Sequence, residues 1–427
     1  MLVKTFTSSL GSGVGVPALE TDVLVVGAGP GGSAAAYHLA RRGLEVVLLD
    51  RASFPREKVC GDGLTPRAVL ALRRMGVDTE DPGFERVVGL RVRSRYGEVE
   101  LPWPELETFP SYGLVRTRRD LDELLVRRAV GAGARLLERT EAVGPIVEEG
   151  WVRGARVRAV DDGAPTEVRA RFVVAADGAP SRFAAQAGVR RDEARPLGIA
   201  ARRYFRASFD PGPWLESWLD LWEGDALLPG YGWVFPLADG TLNVGAGLLN
   251  TFRGFRDVSA RRLLDAFVRH LPPSWGISDE NGAGPVRSGP LPMGMNRRPL
   301  AVPGMLVVGD AGGIVNPFNG EGIAYAMESA EVAAELIAEA LLSGRPAVAH
   351  LYPTVLRERY GRYFAMGRGF VRAIGNPRVM RTATRYGLPR PVVMRFAMRV
   401  LANLTDGRDG DANDKLMWAL ERLARAA

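Results

Sequence analysis

The sequence predicts an α/β protein with a Rossmann-like domain, an adjoining and mainly antiparallel β-sheet domain, and a C-terminal helical region. Three observations support this fold class. A glycine-rich segment at 23–50 has the order strand, helix, strand; two later apolar segments, 172–182 and 305–330, also end in Gly/Asp turns; and the stretches 87–100 and 197–249 are rich in strand-forming residues. Because ligands of open parallel sheets bind at the carboxyl ends of strands, the three turns are expected to converge on one long ligand.

The first segment reads VLVVGAGPGGSAAAYHLARRGLEVVLLD. Its opening apolar run predicts a buried strand, and residues 33–42 predict a helix. Between them Gly27, Gly29 and Gly32 match G-x-G-x-x-G, which lets the chain turn sharply and brings helix N–H groups up to a pyrophosphate. Asp50 ends the next strand 18 residues after Gly32, where an acid can accept from ribose hydroxyls. A glycine turn alone is weak evidence, but all four parts in order predict dinucleotide binding.

The predicted domains are discontinuous. The chain becomes helical after Glu328, with Gly344 as the expected helix C-cap. The predicted segments are a loose N-terminal tail at 1–20, a nucleotide domain at 21–82, 113–190 and 288–345, a β-sheet substrate domain at 83–112 and 191–287, and a helical, basic region at 346–427.

Composition excludes several classes of protein. The 427 residues are 46% apolar and 25% charged, as in ordinary globular proteins, and no stretch has the roughly 18 uncharged apolar residues that a spanning helix needs. Cys60 is the only cysteine, so neither an intramolecular disulfide nor a Cys/His zinc site is expected. The first twenty residues lack the apolar core of a signal peptide, so we expect a cytoplasmic protein.

The net charge of +7 comes from one block. The stretch 359–405 contains ten arginines and no Asp or Glu, which leaves −3 for the rest of the chain. No helix-turn-helix, zinc finger or RNA-binding motif accompanies the block, so nucleic acid is not an expected partner.

Asp310 follows the third strand, where Gly309 and the glycines after it leave backbone donors free. This arrangement suits the hydroxyls of a ribityl chain, although the carboxylate could simply cap the following turn. Together with the first segment, these elements resemble the flavoprotein family that includes aromatic hydroxylases and geranylgeranyl reductases. The resemblance implies FAD as the cofactor.

Two further motifs narrow this resemblance to the geranylgeranyl reductase family. CGDGLTPRAV at 60–69 resembles its Cys-Gly loop, and LPGYGWVFP at 228–236 resembles its P-x-x-Y-x-W-x-F-P motif. The similarity runs from Val23 to about Asp406 and is greatest to the actinobacterial menaquinone reductases, which saturate one prenyl double bond. The aromatic residues of the second motif could also alternate simply because they share one face of a core strand.

The resemblance implies roles for particular residues. The implied cofactor-binding residues are Gly27, Gly29, Pro30 and Gly32 at the pyrophosphate; Asp50 and Arg51 at the adenosine ribose; Arg116 at the phosphates; Asp177 and Gly178 as the Asp-Gly motif; Gly309 and Asp310 at the ribityl chain; and Gly320 and Gly322 beside the flavin pyrimidine ring. There a helix N-terminus would favour the anionic reduced flavin. The loop after Cys60 departs from the family in reading Gly-Asp-Gly, which leaves the role of Asp62 open.

The implied activity is the FAD-dependent saturation of an isolated prenyl double bond, by hydride from flavin N5 and a proton. The expected substrate is the menaquinone side chain, with geranylgeranyl diphosphate or another prenyl lipid as the alternative. The candidate catalytic or substrate-pocket residues are Cys60, Tyr231, Trp233 and Glu321. The sequence does not single out a proton donor, and Cys60 could equally be a small apolar residue in a tight loop. The electron donor could be a ferredoxin- or flavodoxin-like protein or NAD(P)H.

Two other functions are compatible with a flavoprotein of this kind. A flavin monooxygenase or halogenase would need NAD(P)H and oxygen, and the W-x-W-x-I-P motif that halogenases share is absent from the sequence. A non-enzymatic module that carries FAD or lipid is the third alternative.

The basic block predicts a peripheral membrane contact at the inner face of the cell membrane. In PVVMRFAMRVLANL, the residues Val393, Phe396, Ala397, Val400, Leu401 and Leu404 follow helical spacing. The arginines expected to face anionic headgroups are Arg378, Arg381, Arg385, Arg390, Arg395 and Arg399. Alternatively, the helix packs on the enzyme's own core with the arginines in solvent, or the arginines bind a prenyl diphosphate.

Overall fold

The computed structural model describes residues 19–161, 163–206, 209–224 and 226–424. The predicted loose tail lies outside these residues except for its last two positions, which belong to the first strand. The β-strands are β1 Leu19–Val26, β2 Val46–Leu49, β3 Gly63–Leu64, β4 Glu85–Val87, β5 Gly89–Ser94, β6 Gly97–Pro102, β7 Gly113–Val115, β8 Arg135–Leu137, β9 Thr140–Glu148, β10 Trp151–Ala159, β11 Thr166–Ala175, β12 Arg190–Arg191, β13 Leu197–Arg206, β14 Trp214–Trp218, β15 Leu221–Glu223, β16 Ala226–Leu228, β17 Tyr231–Pro236, β18 Thr241–Leu249, β19 Gly282–Pro292, β20 Arg297–Arg298, β21 Ala301–Val302 and β22 Met305–Val307.

The helices connect and cover these strands. They are α1 Pro30–Ala40, α2 Pro66–Arg74, α3 Arg118–Gly131, α4 Arg182–Gln186, α5 Ala260–His270, α6 Ile323–Leu342, α7 Tyr352–Ile374, α8 Pro377–Gly387, α9 Pro391–Ala402 and α10 Ala412–Leu423. Helix α1 begins at Pro30, three residues before the predicted start, because proline's fixed φ and missing N–H suit a first helical turn.

A mostly parallel sheet forms the nucleotide domain. Its order is β21-β22-β11-β1-β2-β8, with the antiparallel pair β9 and β10 attached to β11. Alternate residues of β1 enter two cores: Val23 and Val25 pack under α1, α3 and α6, whereas Leu24 and Val26 pack against the β9–β10 hairpin and α4. Both faces of the sheet are therefore buried, as a parallel sheet requires.

A second sheet carries the aromatic motif. Its order is β19-β13-β18-β17-β14-β5-β6, and all neighbours are antiparallel except β14 and β5. One face packs on α5, where Val234 shares a core with Phe267. The opposite face of β17 turns Trp233 towards the loop around Gly61 in the nucleotide domain. The predicted fold class is thus confirmed, and the second sheet is positioned to cover the cofactor loops.

One predicted domain boundary falls inside a strand. The division at 287/288 cuts β19, whose pairing with β13 continues as far as Pro292. The segment 288–292 therefore belongs with the second sheet, because the backbone hydrogen bonds along this edge are continuous.

The C-terminal helices differ from the predicted arrangement. Helix α9 buries Met394, Met398 and Ala402 against residues of β5 and β6, while Val393, predicted to lie on the apolar face, is exposed. Arg399, expected to face lipid headgroups, is buried and pairs with Asp411 and Asp414. Of the predicted apolar face, Leu404 is buried and Phe396, Val400 and Leu401 pack against the main core, so α9 packs on the enzyme's own core, as the alternative prediction held. The methionines extend this buried surface, whereas Val393 lies outside it.

Candidate functional site

The glycine loop after β1 is shaped by close backbone packing. Gly27 has φ +99°, and a first side-chain carbon there would lie 2.4 Å from the carbonyl oxygen of Ala176. A carbon at Gly32 would lie 1.7 Å from the carbonyl oxygen of Gly27. Only glycine is tolerated at these two positions, and α1 then directs its N-terminal N–H groups into the space beside Gly29.

Two guanidinium groups border the open side of this loop. The nearest atoms to an added carbon at Gly29 are Nη2 of Arg56 at 3.7 Å and Nη2 of Arg118 at 3.9 Å. Arg118 makes a two-bond contact with Asp122, at 2.6 and 2.9 Å, and Arg56 reaches the same carboxylate at 2.9 Å. The loop therefore presents two oriented cations to an anion, as a pyrophosphate site requires.

The predicted phosphate residue Arg116 does not lie at this loop. Its guanidinium pairs with Asp81 at 2.8 Å and lies over the ring of Phe84. The start of α3 causes this difference, because the helix places Arg118, two residues later, toward Gly29. Each of Arg116, Arg118 and Arg119 has an acid four residues later in the sequence, so this spacing does not distinguish Arg118 from its neighbours.

Asp50 lies where the sequence predicts, at the end of β2. Its carboxylate accepts the backbone N–H of Ala28 at 3.0 Å and contacts Arg56 at 3.3 Å. The acid thereby holds the glycine loop against the second strand. Arg51 is exposed beside it.

The other two strand ends meet next to the first. Asp177 accepts the backbone N–H of Phe183 through one oxygen, while its buried Oδ1 has no partner among the described residues. Gly178 has φ +72°, and the ammonium of Lys58 lies 3.7 Å from the position of an added carbon there. Burial lowers the pKa of Lys58, and nearby Asp310 opposes that shift. Sequence reasoning missed Lys58, whose only local signal is a cation just before the Cys-Gly loop.

Glu321 lies in the loop that precedes α6, between Gly320 and Gly322. Its Oε1 accepts a short hydrogen bond from the hydroxyl of Thr65, and its buried Oε2 has no partner in the described part of the chain. Burial raises the pKa of Glu321 to about 7, against the opposing effects of Thr65 and Arg67. This carboxyl can therefore carry a proton near neutral pH.

The aromatic residues of β17 line the space facing these loops. An added carbon at Gly320 would lie 3.1 Å from the Tyr231 hydroxyl, and one at Gly61 would lie 3.3 Å from Nε1 of Trp233. Cross-strand pairing sets Trp233 opposite Gly245, where a side-chain carbon would come within 2.0 Å of the indole. The missing side chain at Gly245 is what seats the indole, a role that sequence reasoning did not identify.

Cys60 is half-buried at the start of the loop that faces this wall. Burial raises the pKa of its thiol, so the neutral thiol is the stable form near pH 7. The structure therefore gives Cys60 no thiolate character. Burial likewise raises the pKa of Tyr231 to about 12, so this candidate stays a neutral phenol.

These residues fit FAD. The glycine cradle leaves room for a pyrophosphate between a helix N-terminus and two guanidiniums, and the buried Oδ1 of Asp177 has no protein partner among the described residues. The loops before α2 and α6 frame the far end, where Thr65 meets Glu321.

Comparisons with known proteins agree with this fit. The FAD binding domain family matches residues 20–227. The menaquinone reductase of Mycobacterium tuberculosis is 40% identical over 393 residues, which cover 92% of this chain and 93% of that protein. The digeranylgeranylglycerophospholipid reductase of Thermoplasma acidophilum is 31% identical over 360 residues, covering 81% of this chain and 85% of that protein.

A solved structure from Thermoplasma acidophilum, described as geranylgeranyl bacteriochlorophyll reductase-like, shares the fold with a TM-score of 0.72 and 26% identity. The alignment covers 90% of this chain and 100% of that chain. FAD is thus the cofactor, and the likeness over nearly the full length of these proteins shows that the chain belongs to the geranylgeranyl reductase family of FAD-dependent oxidoreductases.

Proposed function

We propose that the protein saturates an isolated C=C bond in the prenyl chain of a polyprenyl lipid, with the menaquinone side chain as the substrate. The observation that carries this proposal is the apposition of the aromatic face of β17 to the two loops that frame the flavin end of the cofactor site. Trp233 faces Gly61 and Tyr231 faces Gly320. An apolar chain can thus be held between aromatic rings and the loops beside the cofactor.

The chemistry of an isolated alkene explains what the protein must provide. Such a bond is electron-rich, so hydride addition at one carbon requires a proton at the other. Reduced FAD supplies the hydride when bound. The protein's tasks are to orient the alkene, to exclude water and to hold the proton.

We assign Glu321 as the proton donor. The pKa of its carboxyl is near 7 because burial disfavours the charged form, and Thr65 fixes one oxygen while the other remains unpaired among the described residues. A positioned acid of that pKa carries a proton at neutral pH and can release it. Cys60 and Tyr231 are weaker acids, because burial raises the pKa of each.

The experiment that tests this function separates it from the monooxygenase alternative. Dithionite-reduced protein is incubated without oxygen with menaquinone or geranylgeranyl diphosphate, and the masses of the products are measured by mass spectrometry. We expect a gain of two hydrogens and no oxygen, and the gain should persist after the product is exposed to air, because a menaquinol formed by dithionite reoxidises in air and a saturated side chain does not. Product that forms only with NAD(P)H and air, and that gains an oxygen atom, would support a monooxygenase instead.

We further propose that α8 and the start of α9 form the surface that meets the membrane. Within the described residues, no helix has the length and apolar character needed to span a bilayer. Helix α8 buries only Thr384, and the apolar side chains left exposed here are Val379, Tyr386, Val392 and Val393. Their neighbours Arg378, Arg381, Arg385, Arg390 and Arg395 are exposed, in a stretch without acids. Each arginine could contribute about 1 kcal/mol near an anionic leaflet.

Vesicle sedimentation tests this surface. We expect the protein to pellet with anionic but not neutral vesicles, and salt to reverse binding because the attraction is electrostatic. Replacing both Arg385 and Arg395 by Glu should abolish pelleting, whereas the matched pair Arg135→Glu and Arg261→Glu, also exposed, should not. Equal loss in both double variants, or equal binding to both vesicle types, would contradict a specific α8–α9 surface.

A further inference from the structure

Asp62 is buried at the centre of the Cys-Gly loop, between Gly61 and Gly63. The residue is 0% exposed and has φ +66°, a left-handed conformation that disfavours ordinary side chains. Aspartate tolerates this conformation better than most residues do, but a buried carboxylate also needs hydrogen-bond donors. Its contacts therefore explain why an acid occupies this loop position.

The carboxylate of Asp62 joins three separate elements. Its Oδ1 accepts the backbone N–H of Arg118 at 3.1 Å, at the start of α3. Its Oδ2 accepts the hydroxyl of Tyr204 on β13 and the side-chain amide of Asn243 on β18, both at 2.7 Å. One side chain thus ties the cofactor-binding helix to the sheet that carries the aromatic wall.

Asn243 transmits this contact to the aromatic wall. Its amide nitrogen donates to Asp62 and, at 3.0 Å, to the carbonyl of Cys60. Because both donors of the amide are engaged, its oxygen must face the other way, where it accepts the indole N–H of Trp233 at 3.0 Å. The donor and the acceptor of each hydrogen bond that links Asp62 to Trp233 through Asn243 are thereby fixed.

We propose that Asp62 is a positioning residue that sets the orientation of the Trp233 indole through Asn243. The proposal rests on the proposed function for the idea that Trp233 contacts the prenyl chain, but the orientation itself is independent of any substrate. The carboxylate is suited to this task, since it accepts from three donors without offering a proton. An amide in its place must turn its own N–H groups toward at least one of them.

The test is the substitution Asp62→Asn. The backbone N–H of Arg118 can only donate, whereas the Tyr204 hydroxyl can also accept, so the asparagine oxygen is expected to stay toward Arg118. Its amide nitrogen then faces the amide nitrogen of Asn243, and two donors cannot bond. We expect KM for the prenyl substrate to rise about 5- to 150-fold, the range that corresponds to a buried donor left unpaired, with a smaller change in kcat. In the apoprotein, the emission of Trp233, isolated by subtracting the spectrum of a Trp233→Phe variant, should shift.

A second substitution separates positioning from general destabilisation. Adding Asn243→Asp to Asp62→Asn restores a donor–acceptor pair, and the new carboxylate at position 243 can still accept from Trp233. The carbonyl of Cys60 loses its donor in this double variant, so KM and the indole emission should return part of the way toward the wild-type values. The control Tyr204→Phe removes another hydrogen bond of Asp62 but leaves the bond to Asn243, so the indole emission should be unchanged.

The proposal is overturned if Asp62→Asn leaves the Trp233 emission unchanged, or if the second substitution fails to return it toward the wild-type value. A wild-type protein that does not saturate prenyl chains would contradict the proposed function alone, because the emission measurements need neither substrate nor FAD.

Discussion

Replacing Arg118 by Met should weaken FAD binding about 10- to 150-fold, whereas replacing Arg116 by Met should leave it nearly unchanged. Arg118 borders the open side of Gly29, and a hydrogen bond to a charged group is worth about 1.5 to 3 kcal/mol. The two residues make a matched pair, since the side chains are 9% and 14% exposed and each pairs with an aspartate.

Titration of the apoprotein with FAD, followed by the quenching of flavin fluorescence, measures both affinities. The melting temperature of each apoprotein controls for folding. This control is needed because the Arg118 variant loses one of the cations that pair with the buried Asp122, although the contact of Asp122 with Arg56 remains. If the Arg116 variant lost FAD and the Arg118 variant kept it, the assignment of the phosphate site would be reversed.

Replacing Glu321 by Gln should lower kcat for alkene reduction roughly 100- to 10,000-fold, the usual contribution of a positioned general acid. The protonated carboxyl is the active form and its pKa is about 7, so kcat of the wild type should be constant below that pH and fall tenfold per unit above it. Glutamine retains the shape of the side chain but lacks the acidic proton, so the residual kcat of this variant should not decrease above pH 7. We call this decrease of kcat with rising pH the falling limb.

Thr65→Val tests the same assignment by shifting the pKa of Glu321 upward without removing its carboxyl group. The Thr65 hydroxyl stabilises the ionised carboxylate and so lowers the pKa of Glu321; its loss should move the falling limb of kcat to higher pH. Thr65 makes no side-chain capping bond to α2, so the helix should persist. A limb that stays in place in both variants would instead belong to another group, and the role of Glu321 would be excluded.

The features that the sequence alone predicts best are those encoded by neighbouring residues. The glycine loop needs only a strand, a tight turn and a helix in succession, and β1 and α1 form them with small shifts at the ends. The strand β17 is similarly local, because alternation along one strand already sets Tyr231 and Trp233 on one face.

Features that depend on helix phase are harder to predict. The stretch that leads into α3 offers Arg116, Arg118 and Arg119 within four positions, and only the exact start of the helix decides which faces Gly29. Helix α9 has apolar residues on most of its circumference, so its buried face is chosen by the partner surface, which comes from residues about 290 positions earlier in the chain. Nothing in its local pattern separates Met394 from Val393.

Asp62 is an example of a feature without any local signal. Its partners lie at positions 118, 204 and 243, in three elements that meet only in the folded protein. The same holds for the strand β19, whose pairing and not its composition determines where the second sheet ends.

A single-turnover reaction tests the central claim, the reduction of a prenyl double bond by this flavoprotein, most directly. Stoichiometrically reduced enzyme is mixed with menaquinone without oxygen; the return of the oxidised flavin spectrum is followed, and the product is then exposed to air before fragmentation and mass measurement. Air reoxidises a reduced quinone ring but not a saturated side chain. We predict one reduced bond per flavin oxidised, with two added hydrogens that persist in the side-chain fragment. Flavin oxidation whose product returns to the starting mass in air would show reduction of the ring and would contradict the account.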